Sequence, residues 1–416
     1  MTDLKGHLKL KIQKTISALN SLTVTLVLIA LIIGWMLGQR DLRLQLDGSR
    51  PQITFTHQTP SGSATNIDFK LFWDTWDLVS REYVDKKAID STKMFYGAIK
   101  GMVEAVGDPY TVFLPPESQK STKEELGGSF EGVGLQLGFN KEKRLAVIAP
   151  LSGTPADKAG IKPGDLILKI NTTDSINMSL PDAVNMIRGV KGSQVDLEIY
   201  HDGDDKTRVV TLTRDTIIVK SVEYQSKTTP LGKKVGLIKL SRFGEKTSGE
   251  WVEAVSMALA GNPAAIVLDL RNNPGGFLDG AVFIGSEFIS SGDIVLQENA
   301  AGERQGYKVN RVGKLTNIPV IVLINKGSAS ASEIVAGALQ DLKKAKLVGD
   351  QSFGKGTIQE SQELPGGTGI HITTAKWLTP LGRWIHGTGL TPDVVVVLGD
   401  DQTKDAQLDK ALELLD

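Results

Sequence analysis

The chain has 416 residues, with 47 Lys and Arg against 48 Asp and Glu and a formal net charge of −1. That balance supplies no basic surface and excludes nucleic acid as the main partner. With 40% hydrophobic and 23% charged residues the composition is that of a folded chain rather than a disordered one, and the length suits two or three domains of roughly 150 residues. Cysteine is absent, so a thiol nucleophile, a thiolate metal site and a disulfide framework are excluded together, while the redox compartment is not indicated.

Residues 1–21 form a basic tail in which Lys5, Lys9, Lys11 and Lys14 face a single acid, Asp3. Residues 22–38 (LTVTLVLIALIIGWMLG) carry no charge, and their length lies at the short end of the roughly 17–25 residues that cross a bilayer as a helix. Mixed charges follow at Arg40, Asp41, Arg43 and Asp47. The positive-inside rule therefore predicts a membrane anchor with a cytoplasmic N-terminus and the remainder outside, in periplasm, cell-wall space or thylakoid lumen. A cleaved signal peptide is the alternative, but no A-x-A site follows the apolar run; a buried Leu-rich helix is disfavoured because no face is polar. Residues 39–66, rich in Ser, Thr, Pro and Gly from Gln45 onward, read as a linker, with His57 solvated.

Across 67–115 the apolar residues recur at helical spacing: Leu71, Phe72, Trp76 and Val79, then Met94, Phe95, Ala98, Ile99 and Met102. Two helices joined near Val84–Ile89 are predicted, their aromatics read as core, closed by the turn Gly107-Asp108-Pro109-Tyr110. Residues 120–215 change to short strands at Val147–Ala149, Leu166–Ile170, Val195–Tyr200 and Thr207–Leu212. Asp202-Gly203 marks a hairpin between the last two. One helix intervenes at Leu180–Arg188, with Ser179 as its N-cap, Pro181 in its first turn and Gly189 at its end. Residues 216–400 alternate strands and helices. Ala265–Leu270 and Val320–Asn325 are continuous apolar runs, as in strands buried on both faces. Ala331–Leu342 carries one apolar stripe, at Ile334, Val335, Ala338, Leu339 and Leu342. An α/β core follows from that alternation, and residues 401–416 are assigned a final helix.

Three stretches of this core could carry chemistry. Asn325-Lys326-Gly327-Ser328-Ala329-Ser330-Ala331-Ser332-Glu333 joins a buried strand to a helix. A serine there can project from a turn of small residues, and the unpaired N–H groups of the first helical turn can hold an oxyanion. The plain alternative is that Ser328, Ser330 and Ser332 are helix caps. A serine also needs a base. His201, His371 and His386 are the histidines of the folded region; His371 and His386 have no acidic neighbour in sequence, His201 precedes the Asp202-Gly203 hairpin of the other module, and a histidine triad stays open. Lysine is the other base. Phe353-Gly354-Lys355-Gly356-Thr357-Ile358-Gln359 places Lys355 between glycines beside an aromatic; to act near neutrality its pKa must fall by roughly three units, about 4 kcal/mol, which burial can supply. Gln359 would share a strand face with Lys355; a turn lysine facing water is the alternative. Asp341, ~16 Å along the helix from Ser330, is too remote to orient it. In Asp269-Leu270-Arg271-Asn272-Asn273-Pro274-Gly275-Gly276 the paired glycines allow close backbone approach, either to a ligand or simply in a tight βα turn. The string matches neither nucleotide-binding glycine motif. No H-E-x-x-H is present, and the acids at Asp202–Asp205 read as a solvated hairpin.

In this order the strings LDLRNNPGG, NKGSASASE and FGKGTIQ closely resemble the carboxyl-terminal processing peptidases, or tail-specific proteases. The resemblance covers about Asp68 to Leu398, and the Ser330-to-Lys355 separation agrees with the family's spacing. It implies a Ser–Lys dyad with Ser330 as nucleophile, Lys355 as general base and Gln359 orienting it, and oxyanion N–H groups from Gly276 and Ala331. Gly275 is the alternative to Gly276. The β-rich module resembles a PDZ domain: Gly132-Val133-Gly134-Leu135 is similar to its carboxylate-binding loop and TPADKAGIKPGDLILKIN to the segment after it. Such a loop captures a C-terminal carboxylate and adds the peptide as a strand.

Hydropathy, periodicity and the resemblance together give a multidomain α+β/α-β chain: an N-terminal transmembrane helix and a helical segment from the residues, a PDZ-like domain and a crotonase-like α/β protease core from the resemblance. Its implied work is serine endopeptidase cleavage of extracytoplasmic proteins near free apolar C-termini, with no cofactor and no nucleic acid; a homo-oligomer is compatible with it. A catalytically silent PDZ scaffold is the second reading, against which Ser330, Lys355 and Gln359 all stand intact. A crotonase-like acyl-CoA enzyme is the third, disfavoured by the PDZ-like insert and the outside location. Arg188, at the end of the PDZ helix, reads as a surface residue, with coupling of the PDZ to the protease as the alternative.

Overall fold

The computed structural model describes residues 42–47 and 50–55 (backbone), 68–140, 142–201, 203–343, 345–397 and 404–416. Among these no helix is long and apolar enough to cross a membrane; residues 22–38, the expected anchor, lie outside them. The chain divides into two units, 1–91 and 92–416.

In the first unit, β1 (Leu42–Asp47) and β2 (Arg50–Phe55) pair antiparallel, Leu42 opposite Phe55 and Asp47 opposite Arg50. This corrects the linker expectation. Leu42, Leu44 and Leu46 alternate with polar residues ahead of a D-G pair, a hairpin signal that the later Ser/Thr/Pro/Gly composition obscured. Helix α1 (Lys70–Glu82) and a short 3-10 turn at Lys86–Ala88 follow. The two-helix expectation holds, with α2 at Ser91–Glu104, but the core reading of the aromatics does not. Leu71 is 75% exposed, Phe95 52% and Met102 67%, and α1 buries none of its residues. Its rings cluster with one another instead, Phe72 lying 5.0 Å from Trp73. Periodicity identifies an apolar face without specifying what covers it.

The second unit continues through β3 (Val112–Leu114) and α3 (Pro116–Gly127) into the β-rich module. The chain enters along β4 (Ser129–Gly132) and proceeds through β5 (Leu135–Phe139), β6 (Leu145–Pro150), the short α4 (Pro155–Lys158), β7 (Leu166–Ile170) and β8 (Thr173–Asp174). It completes the module with α5 (Leu180–Ile187), β9 (Gln194–Tyr200) and β10 (Arg208–Thr213), and leaves along β11 (Asp215–Ile218), paired antiparallel with β4. Strand order is β10-β9-β7-β6-β5, so β5 is an edge. Ser179 caps α5 as the sequence predicts. At the other end of α5 the buried Arg214 donates to the Met186 and Ile187 carbonyls, satisfying groups a helix terminus leaves orphaned.

The core is a sheet of order β12-β13-β14-β17-β18-β21, from β12 (Val222–Thr228), β13 (Lys234–Leu240), β14 (Ala265–Asp269), β17 (Val320–Ile324), β18 (Lys346–Gly349) and β21 (Val394–Val395). From β13 to β21 the pairings are parallel. Every residue of β14 and β17 is buried, as their unbroken apolar runs require. One face packs on α6 (Thr247–Ala260), α7 (Leu278–Phe288) and α8 (Ala331–Leu342), the other on α9 (Ala406–Glu413). A second sheet contains β15 (Asp293–Asn299), β16 (Arg304–Lys308), β19 (Thr357–Leu364) and β20 (Thr368–Leu378) in the order β16-β15-β20-β19, with β3 pairing β20 beside it.

Arg188 is not a free surface residue. Its guanidinium lies over the Phe130 ring, 4.6 Å from the centroid, and 3.4 Å from Glu124 of α3. On the core side Arg242 reaches Glu125 at 3.0 Å and the Glu245 N–H donates to the Leu126 carbonyl. Helix α3 therefore touches both the β-rich module and the core.

Candidate active site

Three serines occupy the turn from β17 to α8, and packing separates them. Ser328 and Ser332 are fully buried; Ser328 Oγ donates to the Leu270 carbonyl and Ser332 Oγ to those of Asn273 and Ala329. Both stitch the turn to the Leu270–Gly276 loop. Ser330 is only half-buried and lines a cavity of about 590 Å3. Its backbone, φ 55 and ψ −118, is one that L-residues rarely adopt. Such strain at a strand-to-helix turn projects a side chain outward and persists only where neighbours enforce it.

Enforcement comes from Glu333. This carboxylate, fully buried, accepts the Ser330 N–H at 2.8 Å, the Lys355 N–H at 2.9 Å, the Gly354 N–H at 2.7 Å and the Ser352 hydroxyl at 2.5 Å. Sequence reasoning included Glu333 in the serine string but gave it no role. Its position three residues after an N-cap serine was the signal, since that spacing lets an acid reach back to the cap N–H.

Lys355 lines the same cavity. Its main chain is clamped: Trp377 Nε1 donates to the Lys355 carbonyl at 2.7 Å, Trp384 Nε1 to the Gly356 carbonyl at 2.9 Å, and the Gly356 N–H meets His386 Nδ1 at 3.3 Å. The ammonium lies 4.9 Å from the Tyr110 ring centroid. Burial pushes its pKa below the ordinary lysine value, against the opposing charges of Asp108 and Glu333. Lys355 is half-buried rather than fully exposed to solvent. Gln359 also lines the cavity, but its Nε2 donates to Thr357 Oγ1 (2.9 Å) and Thr373 Oγ1 (3.0 Å); among the described residues no hydrogen bond joins it to Lys355, nor Lys355 to Ser330.

The glycine loop closes the site. The Gly275 N–H is taken by Asn273 Oδ1 at 2.9 Å, whereas the N–H groups of Gly276 and Ala331 have no partner among the described residues. A Cβ on Gly275 would stand 2.8 Å from Ser330 Cβ and 3.0 Å from the Ala331 nitrogen; one on Gly276 would stand 2.1 Å from the Phe243 carbonyl oxygen. Both positions demand glycine. Of the histidines, His371 lines the cavity, its pKa lowered by burial and by the Lys355 charge, and His386 stacks on Trp384. Among the described residues no carboxylate hydrogen-bonds either one. His201 lies in the β-rich module, 2.5 Å from Asp165.

In that module Gly132 ends β4, Val133 is buried and Leu135 begins the edge strand β5. The Val133 and Gly134 carbonyls accept the Ala156 and Leu151 N–H groups, turning them into the fold. Gly134 has φ 79, and a Cβ there would stand 2.4 Å from Thr154 Cβ. Apolar Ala183 and Ile187 of α5 and half-buried Leu135 and Leu137 belong to one cluster.

Fold and site define the class: a serine peptidase with an α/β core and an inserted PDZ domain. Profiles of peptidase family S41, the PDZ domain and the activating protease CtpB N-terminal domain match residues 234–396, 119–200 and 42–118. The carboxy-terminal processing protease CtpA of Bacillus subtilis is 36% identical over 82% of this chain and 71% of its own length. A carboxyl-terminal-processing protease of Synechocystis sp. is 37% identical over 83% and 84%. Among solved structures a photosystem II D1 C-terminal processing protease aligns with a TM-score of 0.50 at 30% identity, over 83% of this chain and 96% of its own. The chain belongs to the carboxy-terminal processing proteases of peptidase family S41.

Proposed function

We propose that this enzyme cleaves extracytoplasmic proteins near their C-termini through an acyl-enzyme, anchored to the membrane by residues 22–38 with its N-terminus in the cytoplasm. Ser330 attacks the scissile carbonyl and Lys355, entering as the free amine, takes the hydroxyl proton and returns it to the leaving amine. Gly276 and Ala331 N–H groups hold the oxyanion. Water then hydrolyses the Ser330 ester. Gln359 acts through Thr357 and Thr373 on β19, the strand that begins two residues after Lys355. The PDZ loop at Gly132, Val133, Gly134 and Leu135 holds the substrate's terminal carboxylate while its apolar end side chains enter the cluster beneath.

The observation that carries this reading is the convergence of half-buried Ser330, half-buried Lys355 and two N–H groups without a partner among the described residues on one cavity. The test incubates the chain from about Asn66 onward with an unfolded protein ending in apolar residues, beside Ser330→Ala and Lys355→Ala. Wild type is expected to cut and both variants to fall by 10³-fold or more, on the order seen when a dyad member is lost. Full activity in Lys355→Ala would move the base to His371. C-terminal amidation of the substrate is expected to slow cleavage; equal rates would remove the PDZ from capture.

A further inference from the structure

His386 is a half-buried titratable group that the chemistry above leaves unused, and it reaches Lys355 by two routes. The first runs through the main chain. The turn 384–387 sits on the two glycines that flank Lys355: the Gly387 N–H donates to the Gly354 carbonyl at 2.9 Å, Trp384 Nε1 to the Gly356 carbonyl at 2.9 Å, and the Gly356 N–H to His386 Nδ1 at 3.3 Å. The approach is close enough to demand glycine, since a Cβ on Gly356 would stand 2.9 Å from His386 Cβ. The second route runs through rings. His386 meets Tyr110 in a T-shaped contact, with centroids 6.1 Å apart at 76°, and the Lys355 ammonium lies over that same Tyr110 ring. The imidazole is also stacked on Trp384, at 5.3 Å and 9°.

These contacts require one protonation state. Nδ1 accepts the Gly356 N–H through its lone pair, which puts the ring proton of neutral His386 on Nε2. In the imidazolium both nitrogens carry protons, so one N–H would face another and the contact would become repulsive. A second positive charge would then also stand across Tyr110 from the Lys355 ammonium. Other charges reach the ring only through its neighbours. Asp108 lies in the Tyr110 turn, and Glu333 of α8 accepts the Lys355 N–H at 2.9 Å; both charges act on Tyr110. Lys376 of β20 lies over Trp384, 4.7 Å from the ring centroid. Among the described residues no carboxylate hydrogen-bonds the imidazole to hold an added proton.

We propose that His386 is a positioning residue for Lys355: while neutral it holds the glycine-flanked loop and the Tyr110 ring against the amine, and its protonation releases both. The proposal deepens the peptidase reading and rests on it. No step is added to the reaction, since Lys355 remains the group that takes the Ser330 proton and returns it to the leaving amine. What changes is the number of protons that silence the enzyme in acid. One sits on Lys355 and a second on His386, so activity falls more steeply than titration of the base alone would make it.

The test is the acid limb of kcat/KM, followed from alkaline pH down through the range in which histidines change charge, about pH 5–8. The wild type is expected to fall about ten-fold per pH unit where Lys355 alone protonates and to approach about a hundred-fold per unit where His386 does so as well. His386→Asn, whose side-chain oxygen is an acceptor that no proton removes, is expected to keep the ten-fold limb throughout. His386→Phe keeps a ring and loses the acceptor; its kcat is expected to lie about ten-fold below that of His386→Asn, as one lost hydrogen bond predicts, with KM little changed. A single-proton limb in the wild type would overturn the proposal without any variant. So would a two-proton limb retained in His386→Asn, or equal kcat in the two variants. Failure of the wild type to cut at all would count against the peptidase reading instead. The contact is then followed by NMR in Ser330→Ala, where the Gly356 amide resonance is expected to move as His386 protonates and to stop moving in His386→Asn; a Gly356 amide indifferent to pH would overturn the proposal.

Discussion

Glu333 turns back across the first turn of α8 to accept the N–H of Ser330 at 2.8 Å, and the same oxygen accepts the N–H of Lys355 at 2.9 Å. One buried carboxylate thus fixes the strained backbone of the candidate nucleophile and the backbone of the candidate base. Its negative charge, shared among three N–H groups and a hydroxyl, is satisfied without a cationic side chain.

Glu333→Ala leaves several buried donors unpaired, each costing roughly 1–3 kcal/mol. The variant is expected to lose about 3 kcal/mol or more of stability in denaturant unfolding and to lose activity beyond that explained by unfolding. Glu333→Gln, which keeps an acceptor but turns an amine toward a donor, should fall between. Unchanged turnover in folded Glu333→Ala would show that the strained Ser330 geometry is not needed.

Asp108 sets the sign of a pH test. Burial lowers the Lys355 pKa, and the Asp108 charge opposes that fall. A general base must be neutral, so kcat/KM should rise with pH through the Lys355 pKa. Asp108→Asn removes an anion that favours the ammonium; the acid limb is expected to move to lower pH. A move to higher pH would contradict the assignment of that limb to Lys355.

Gly276→Ala places a methyl group 2.1 Å from the Phe243 carbonyl oxygen at φ 137, so the loop must shift and carry its N–H with it. A drop in kcat of about 10²–10³ is expected, the usual cost of one oxyanion donor, with KM little changed. Steady-state kinetics on a short peptide would decide between loss of the donor and loss of binding.

Gly134→Ala concerns capture rather than chemistry. Its Cβ would stand 2.4 Å from Thr154 Cβ at φ 79, a strain of about 1–3 kcal/mol on the carboxylate loop. Free-acid substrates should lose affinity by about ten-fold or more and approach their amidated counterparts, while a short peptide that cannot reach the PDZ is cut as before. A retained preference for free acids would place carboxylate recognition elsewhere.

Local signals were legible wherever neighbours in sequence are neighbours in space. The buried runs of β14 and β17, the stripe of α8 and the Ser179 cap of α5 follow from the periodicity and capping of a few consecutive residues. Ser330 and Lys355 stood out as candidates because each sits in a short string of small residues, and the roles given to them there came from the family resemblance. The hairpin of β1 and β2 was equally local and was passed over for the composition around it. The apolar face of α1 was visible, but its exposure was not, because burial depends on what lies opposite.

By itself the sequence determined the family, the order of its domains and the residues that turn at the site, since each of these is written in contiguous motifs. Only the tertiary structure decided which of three neighbouring serines lies open and that Glu333 ties two loops together. It also decided that Tyr110 faces the Lys355 ammonium, that Arg188 lies against α3 and that the His386 ring touches both Tyr110 and Trp384. These depend on close approaches between residues far apart in the chain. A single sequence carries no signal for such pairs, because burial and hydrogen-bond geometry are set by packing rather than by spacing.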